Sequence, residues 1–165
     1  MSWVSILMGS ESDWPVMQSC KEVFDDLEIS CEVRITSAHR TPQETKDYVV
    51  DAQSRGCKIF ICAAGMAAHL AGAVAAQTTC PVIGVPISSG ALQGVDALLS
   101  TVQMPGGIPV ATVAIGKAGA KNAAYLVGQI LAVSDEALFQ RVLADREKSK
   151  DKVVAQNSAL QTTLT

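Results

Sequence analysis

Charge is scarce in this sequence. Charged residues fill 18% of its 165 positions, against about 25% in an average protein. Net charge is only −3. The one concentration of basic residues is the diluted run "REKSKDK" (146–152), which reads as a solvated helix face. A nucleic-acid partner is therefore not expected. No apolar run reaches the ~18 residues that a membrane helix needs, and "MSWVSILMGS" has no basic n-region before its first apolar run. A membrane partner and an export signal are thus not expected, and the expected location is the cytoplasm. The five cysteines (Cys20, Cys31, Cys57, Cys62 and Cys80) are odd in number and contain no C-x-x-C pair. They read as reduced thiols in apolar segments, not as a disulfide frame or a metal site.

Other absences narrow the chemistry. No G-x-G-x-x-G follows the first strand, so a dinucleotide fingerprint is missing. "AIGKAG" is only the tail of a phosphate-binding loop, and there is no G-x-S-x-G elbow. The chain has two histidines, His39 and His69, with no carboxylate or cysteine at ligand spacing, so no metal is expected.

What remains is a regular alternation. Strand-length apolar runs at 3–9, 31–36, 58–64, 81–87 and 110–115 alternate with helical patterns at 14–28, 42–55, 67–77, 94–103 and 120–133. A last helix is expected from Asp135 to about Val154, and the tail after about 155 carries no strong pattern. The third strand is apolar on both faces, as a strand covered by helices on both sides should be. The reading is an α/β fold: one domain over residues 1–155, a parallel five-stranded sheet with helices on both faces, and a tail over 156–165.

In such sheets ligands bind beyond the carboxyl ends of the strands, so the polar residues there are the candidates. The first strand ends in Gly9, Ser10, Ser12 and Asp13, at the mouth of a helix whose N-terminal amides suit a phosphate. Asp13 before Trp14-Pro15 is equally a helix N-cap. The second strand ends in Ser37, Ala38, His39 and Arg40. The third ends in Gly65, Met66, Ala67, Ala68, His69 and Leu70, where His69 is the single polar side chain. The fourth ends in "ISSGALQG". From the residues alone, the plain reading of His39 is a surface loop histidine, and that of His69 a satisfied buried one.

Five segments occur in this order: "MGSESDWP", "SAHRTP", "AAHLAG", "GVP" and "QMPGGIPVATVAIGKAGAKNAA". Over about residues 4–145 they resemble the N5-carboxyaminoimidazole ribonucleotide mutase (PurE) family of bacterial purine biosynthesis. The resemblance implies a flavodoxin-like fold in a homo-octamer, with the last helix packed on a neighbouring subunit. It implies an isomerase without metal or organic cofactor, which moves a carboxylate from the exocyclic nitrogen of a ribonucleotide to ring carbon 4. It assigns His39 as general acid/base, Ser10, Ser12 and Arg40 to the substrate phosphate, and Asp13 to the ribose hydroxyls. The small residues of 64–70 would then hold released CO2. Two positions depart from the family's frequent pattern: Met66 stands where glycine is common, and Ala71 where proline is. Met66 would narrow the CO2 pocket or line it. A sister branch carboxylates with free CO2 and typically carries lysine after the same histidine; Arg40 and the run Ala67-Ala68-His69-Leu70 point to the mutase branch. A non-catalytic nucleotide-binding module is the reading from a different class.

Overall fold

The chain is described by a computed structural model over residues 3–164. Five strands form one sheet: β1 (Trp3–Met8), β2 (Cys31–Ile35), β3 (Cys57–Gly65), β4 (Val82–Ile87) and β5 (Ala111–Thr112). Their order is β2-β1-β3-β4-β5 and every pairing is parallel, which confirms the α/β reading. The helices are α1 (Trp14–Asp26), α2 (Pro42–Ser54), α3 (Leu70–Ala75), α4 (Val95–Val102), α5 (Lys117–Ala132) and α6 (Glu136–Leu164).

Strand periodicity sorts the core into two layers. Val4, Ile6 and Met8 of β1 point to the face where Met17, Cys20, Val23, Phe24 and Leu27 of the α1 stripe meet Ala120, Ala123, Ala124 and Val127 of α5. Leu7 points to the other face, against Tyr48, Val49, Leu70 and Val74 of α2 and α3. The alanines of α5 allow close approach of the two helices on the first face. Cys20, Cys57 and Cys62 are buried, Cys31 and Cys80 are half-buried, and all five are free thiols.

Three elements differ from the periodicity. The third helix, expected over 67–77, is only Leu70–Ala75. Met66 takes φ +55, and short turns close from the Ala68 and His69 amides onto the Met66 and Ala67 carbonyls at 2.9 and 2.8 Å. This segment is wound too tightly to be helical. The fifth strand, expected over 110–115, pairs only at Ala111 and Thr112. Pro86 of β4 has no N–H to donate to it, and beyond that point single bonds from Val113 to Gly84 and from Gly116 to Pro86 hold the chain alongside.

The last helix runs past Val154 to Leu164 without an apolar pattern to require it. From Arg146 onward every described residue of α6 is exposed. Its apolar stripe divides. Leu138 is buried and Val142 packs beside it on the chain's own core, while Phe139 and Leu143 remain exposed at 46% and 45%.

Gly119, in the first turn of α5, fixes how closely that helix meets the strand-end loop before it. A Cβ there would lie 1.6 Å from the Ala114 carbonyl oxygen, a backbone atom that no rotamer change can move. Gly119→Ala is expected to destabilise the fold by about 1–3 kcal/mol or more, the usual cost of overpacking. Urea denaturation followed by circular dichroism measures it.

Candidate active site

Because the strands are parallel, the loops after β1, β2 and β3 leave the same edge of the sheet. They meet in one cavity of about 520 Å³, lined by Gly9, Ser10, Ser12 and Asp13, by Ser37 to Arg40, by Ala64 to Ala67 with His69 and Leu70, and by Ser89. Every residue named at the first three strand ends lines it except Ala68, which is 2% exposed and packed inward, and of the fourth strand's ending only Ser89 does. Gly9, Ala64, Met66 and Ser89 complete the wall. The "ISSG" ending of the fourth strand was the available signal for Ser89.

The β1 loop is a 3-10 turn, Glu11–Asp13, capped by Ser10. The Ser10 hydroxyl accepts from the Ser12 amide at 3.3 Å and from the Ser12 hydroxyl at 2.9 Å. Asp13 makes no side-chain cap for α1, although the Asp-Trp-Pro sequence suggested one. Its Oδ2 turns back to accept the Ser10 amide at 3.1 Å, closing a capping box one turn earlier. The carboxyl is nearly buried, at 6% exposure. Burial pushes its pKa up, and the Ser10 and Gly9 amides offset part of that shift.

The β2 loop is built around Ser37 and Thr41. The Thr41 hydroxyl accepts the Ser37 amide at 2.9 Å, and the Ser37 hydroxyl accepts the Arg40 amide at 3.1 Å. This turn throws the Arg40 side chain across to the β1 loop, where its guanidinium donates to the Gly9 carbonyl at 3.1 Å. One of five N–H donors is used there, and the fork is otherwise suited to an anion.

His39 projects from the same turn and meets His69 from the β3 loop. His39 Nε2 and His69 Nδ1 are 2.7 Å apart, with the rings 87° to each other. Both side chains are exposed to the cavity, so the alternative of a buried, satisfied His69 is overturned. A hydrogen bond between two imidazoles needs a hydrogen on one nitrogen and a lone pair on the other. The two rings are therefore joined directly across the β2 and β3 loops.

Two backbone positions shape the apolar end. At Gly65 a Cβ would lie 2.4 Å from the Ser89 hydroxyl, which would have to turn aside, and 3.2 Å from the fixed Ile87 carbonyl, so glycine eases the close approach of the β3 and β4 loops. Met66 beside it sits in left-handed backbone, φ +55, which costs a non-glycine residue about 1–2 kcal/mol. Among the described residues no group of three or more His, Cys, Asp or Glu is placed to hold a metal ion, and no helix is long and apolar enough to cross a membrane.

Comparison with known proteins gives a consistent result. The profile of the AIR carboxylase family matches residues 3–152. The N5-carboxyaminoimidazole ribonucleotide mutase of Bacillus subtilis (strain 168) is 50% identical over 157 residues, covering 95% of this chain and 97% of the relative. That of Escherichia coli (strain K12) is 51% identical over 151 residues, covering 92% and 89%. Among solved structures, that of Treponema denticola PurE superposes with a TM-score of 0.87 at 28% identity, covering 97% of this chain and 99% of that one.

The buried Asp13 gives a test with a definite sign. Its folded-state pKa is raised, so the folded chain holds the proton more tightly and loses stability as pH rises through that range. Asp13→Asn keeps an acceptor for the Ser10 amide and removes the desolvated charge. The variant should equal or exceed the parent in thermal midpoint at pH 7, and the difference should shrink toward pH 3, where the parental carboxyl is protonated. Thermal scans at the two pH values check this.

Proposed function

The chain belongs to the AIR carboxylase family, and on that premise we propose that it is an N5-carboxyaminoimidazole ribonucleotide mutase acting in purine biosynthesis in the cytoplasm. One observation carries the mechanistic part of this reading: the 2.7 Å contact between His39 and His69 inside the strand-end cavity. The reaction needs a proton moved between a carbon and a nitrogen of one substrate. Imidazole is the side chain that does this at neutral pH.

The ribonucleotide phosphate is assigned to Ser10, Ser12 and Arg40, whose hydroxyls and guanidinium face one cavity from two loops. Asp13 accepts the ribose hydroxyls, and Ser37 and Ala38 form the wall under the ring. With the phosphate held, the ring reaches the histidines. The carbamate N–C bond breaks and its electron pair stays on nitrogen, which takes a proton from the pair. Carbon 4 then attacks the released CO2, and the hydrogen it carries leaves as a proton to the pair. Atoms and protons balance, and neither ATP nor an oxidant is consumed. Ala64, Gly65, Ala67 and Leu70 give CO2 an apolar wall with few partners for water. Ala68 supports that wall from behind.

The test is conversion of the synthetic carbamate ribonucleotide to the 4-carboxy product by purified chain with no metal and no ATP. Product that appears only with added bicarbonate, and carries its label fully, would favour the carboxylase branch instead. His39→Asn should keep the thermal midpoint, because the side chain is exposed. Its turnover should fall by about 10²–10⁴-fold, the range for a removed acid/base. Near-parental turnover would transfer the role to His69.

The same family reading makes the chain a homo-octamer. Leu99 and Val102 on α4, Phe139 and Leu143 on α6, and Val153 and Val154 further along α6 are large apolar residues left exposed by the single chain. Burial between subunits is the economical use of such surface. Multi-angle light scattering at micromolar concentration should return a mass near eight chains; a stable monomer would rule this out.

A further inference from the structure

We propose that Met66 is a positioning residue of the site: a thioether cover that keeps released CO2 beside its acceptor carbon. The inference rests on the mutase reading above. Three observations carry it. Met66 occupies left-handed backbone at φ +55, where glycine fits without strain, so the backbone alone does not ask for a methionine. Its side chain is 60% exposed, so core packing does not ask for one either. The side chain nevertheless has a definite place. It lines the cavity with Gly65, Ala67 and Ser89, and it extends over Gly90 of the neighbouring loop. Gly90 has φ +64 and no side chain to interfere; a Cβ there would be 3.9 Å from Met66 Cγ.

Methionine suits a cover. Its unbranched arm is apolar, polarisable and adaptable, and it offers no donor or acceptor to recruit water. Its Cγ lies within van der Waals reach of the Gly90 position in the loop after β4. Between breakage of the N–C bond and formation of the C–C bond, CO2 is held by no covalent bond and is retained only by enclosure. A cover at this position raises the fraction of CO2 that recombines with carbon 4 and lowers the fraction that escapes, leaving the decarboxylated aminoimidazole ribonucleotide.

The experiment supplies unlabelled carbamate ribonucleotide in buffer with labelled bicarbonate, and measures early product label and decarboxylated by-product. Met66→Gly is expected to raise both several-fold over the parent, with a thermal midpoint no lower than the parent's. Met66→Leu, which restores an apolar arm, is expected to return both to near-parental values. Parental label and by-product in Met66→Gly would overturn the inference. A lowered midpoint with unchanged label would mark the residue as packing only, with the same consequence. Failure of the parental chain to convert the carbamate is a separate result: it overturns the mutase reading and this inference with it.

Discussion

Parallel pairing in register brings the carboxyl ends of β1, β2 and β3 to one level, and the whole site depends on that alignment. Met8 pairs with Ile35 on one side and Ala63 on the other. The Gly9 amide then bonds the Ala63 carbonyl at 3.0 Å, and the Thr36 amide bonds the Met8 carbonyl at 2.8 Å. The three loops therefore start from fixed and adjacent points. The strand order β2-β1-β3 makes this the place where the chain reverses its direction across the sheet. With right-handed crossovers, α1 and α2 must lie on opposite faces, and a crevice opens between the loops at the reversal. The cavity is a consequence of topology before any side chain is considered.

The side chains turn that crevice into a chemical site by dividing it. One end is polar and largely organised by backbone amides: Ser10 and Asp13 bond within their own turn, and Arg40 reaches across to Gly9. The other end is built of Ala64, Gly65 and Ala67, where small size matters more than chemistry. The histidine pair lines the same cavity. Burial of Asp13 has an energetic cost, seen in its raised pKa. Strain at Met66 has another. Departures from local stability of this kind are ordinary where function is built.

The α6 helix obeys a different logic. Its first turns pack through Leu138, and Arg141 donates to the Leu27 carbonyl at 2.8 Å, tying the helix to the end of α1. From Arg146 onward its described residues are all exposed. A helix this long and this exposed draws little stability from its own packing.

Much of this was legible in the residues. Runs such as "KIFICAA" declared a strand covered on both faces, and the Met17, Cys20, Phe24 spacing declared a buried helix stripe, because burial imposes periods of 2 and 3.6 directly on sequence. The strand-end rule gathers Ser10, Asp13, His39 and His69 from the sequence alone. Local hydrogen bonding was less visible: the turn after Met66 shortened α3, Pro86 ended the β5 ladder, and Asp13 capped an earlier turn than its sequence suggested. Those outcomes depend on which competing partner lies nearest in space. The His39–His69 contact was wholly outside the sequence, since the two residues are thirty positions apart and in different loops. Sequence determined which side chains stand at strand ends, because hydrophobic periodicity is a local property. Only the tertiary structure decided which of them touch, because contact across loops is set by sheet order and register, which no single segment encodes.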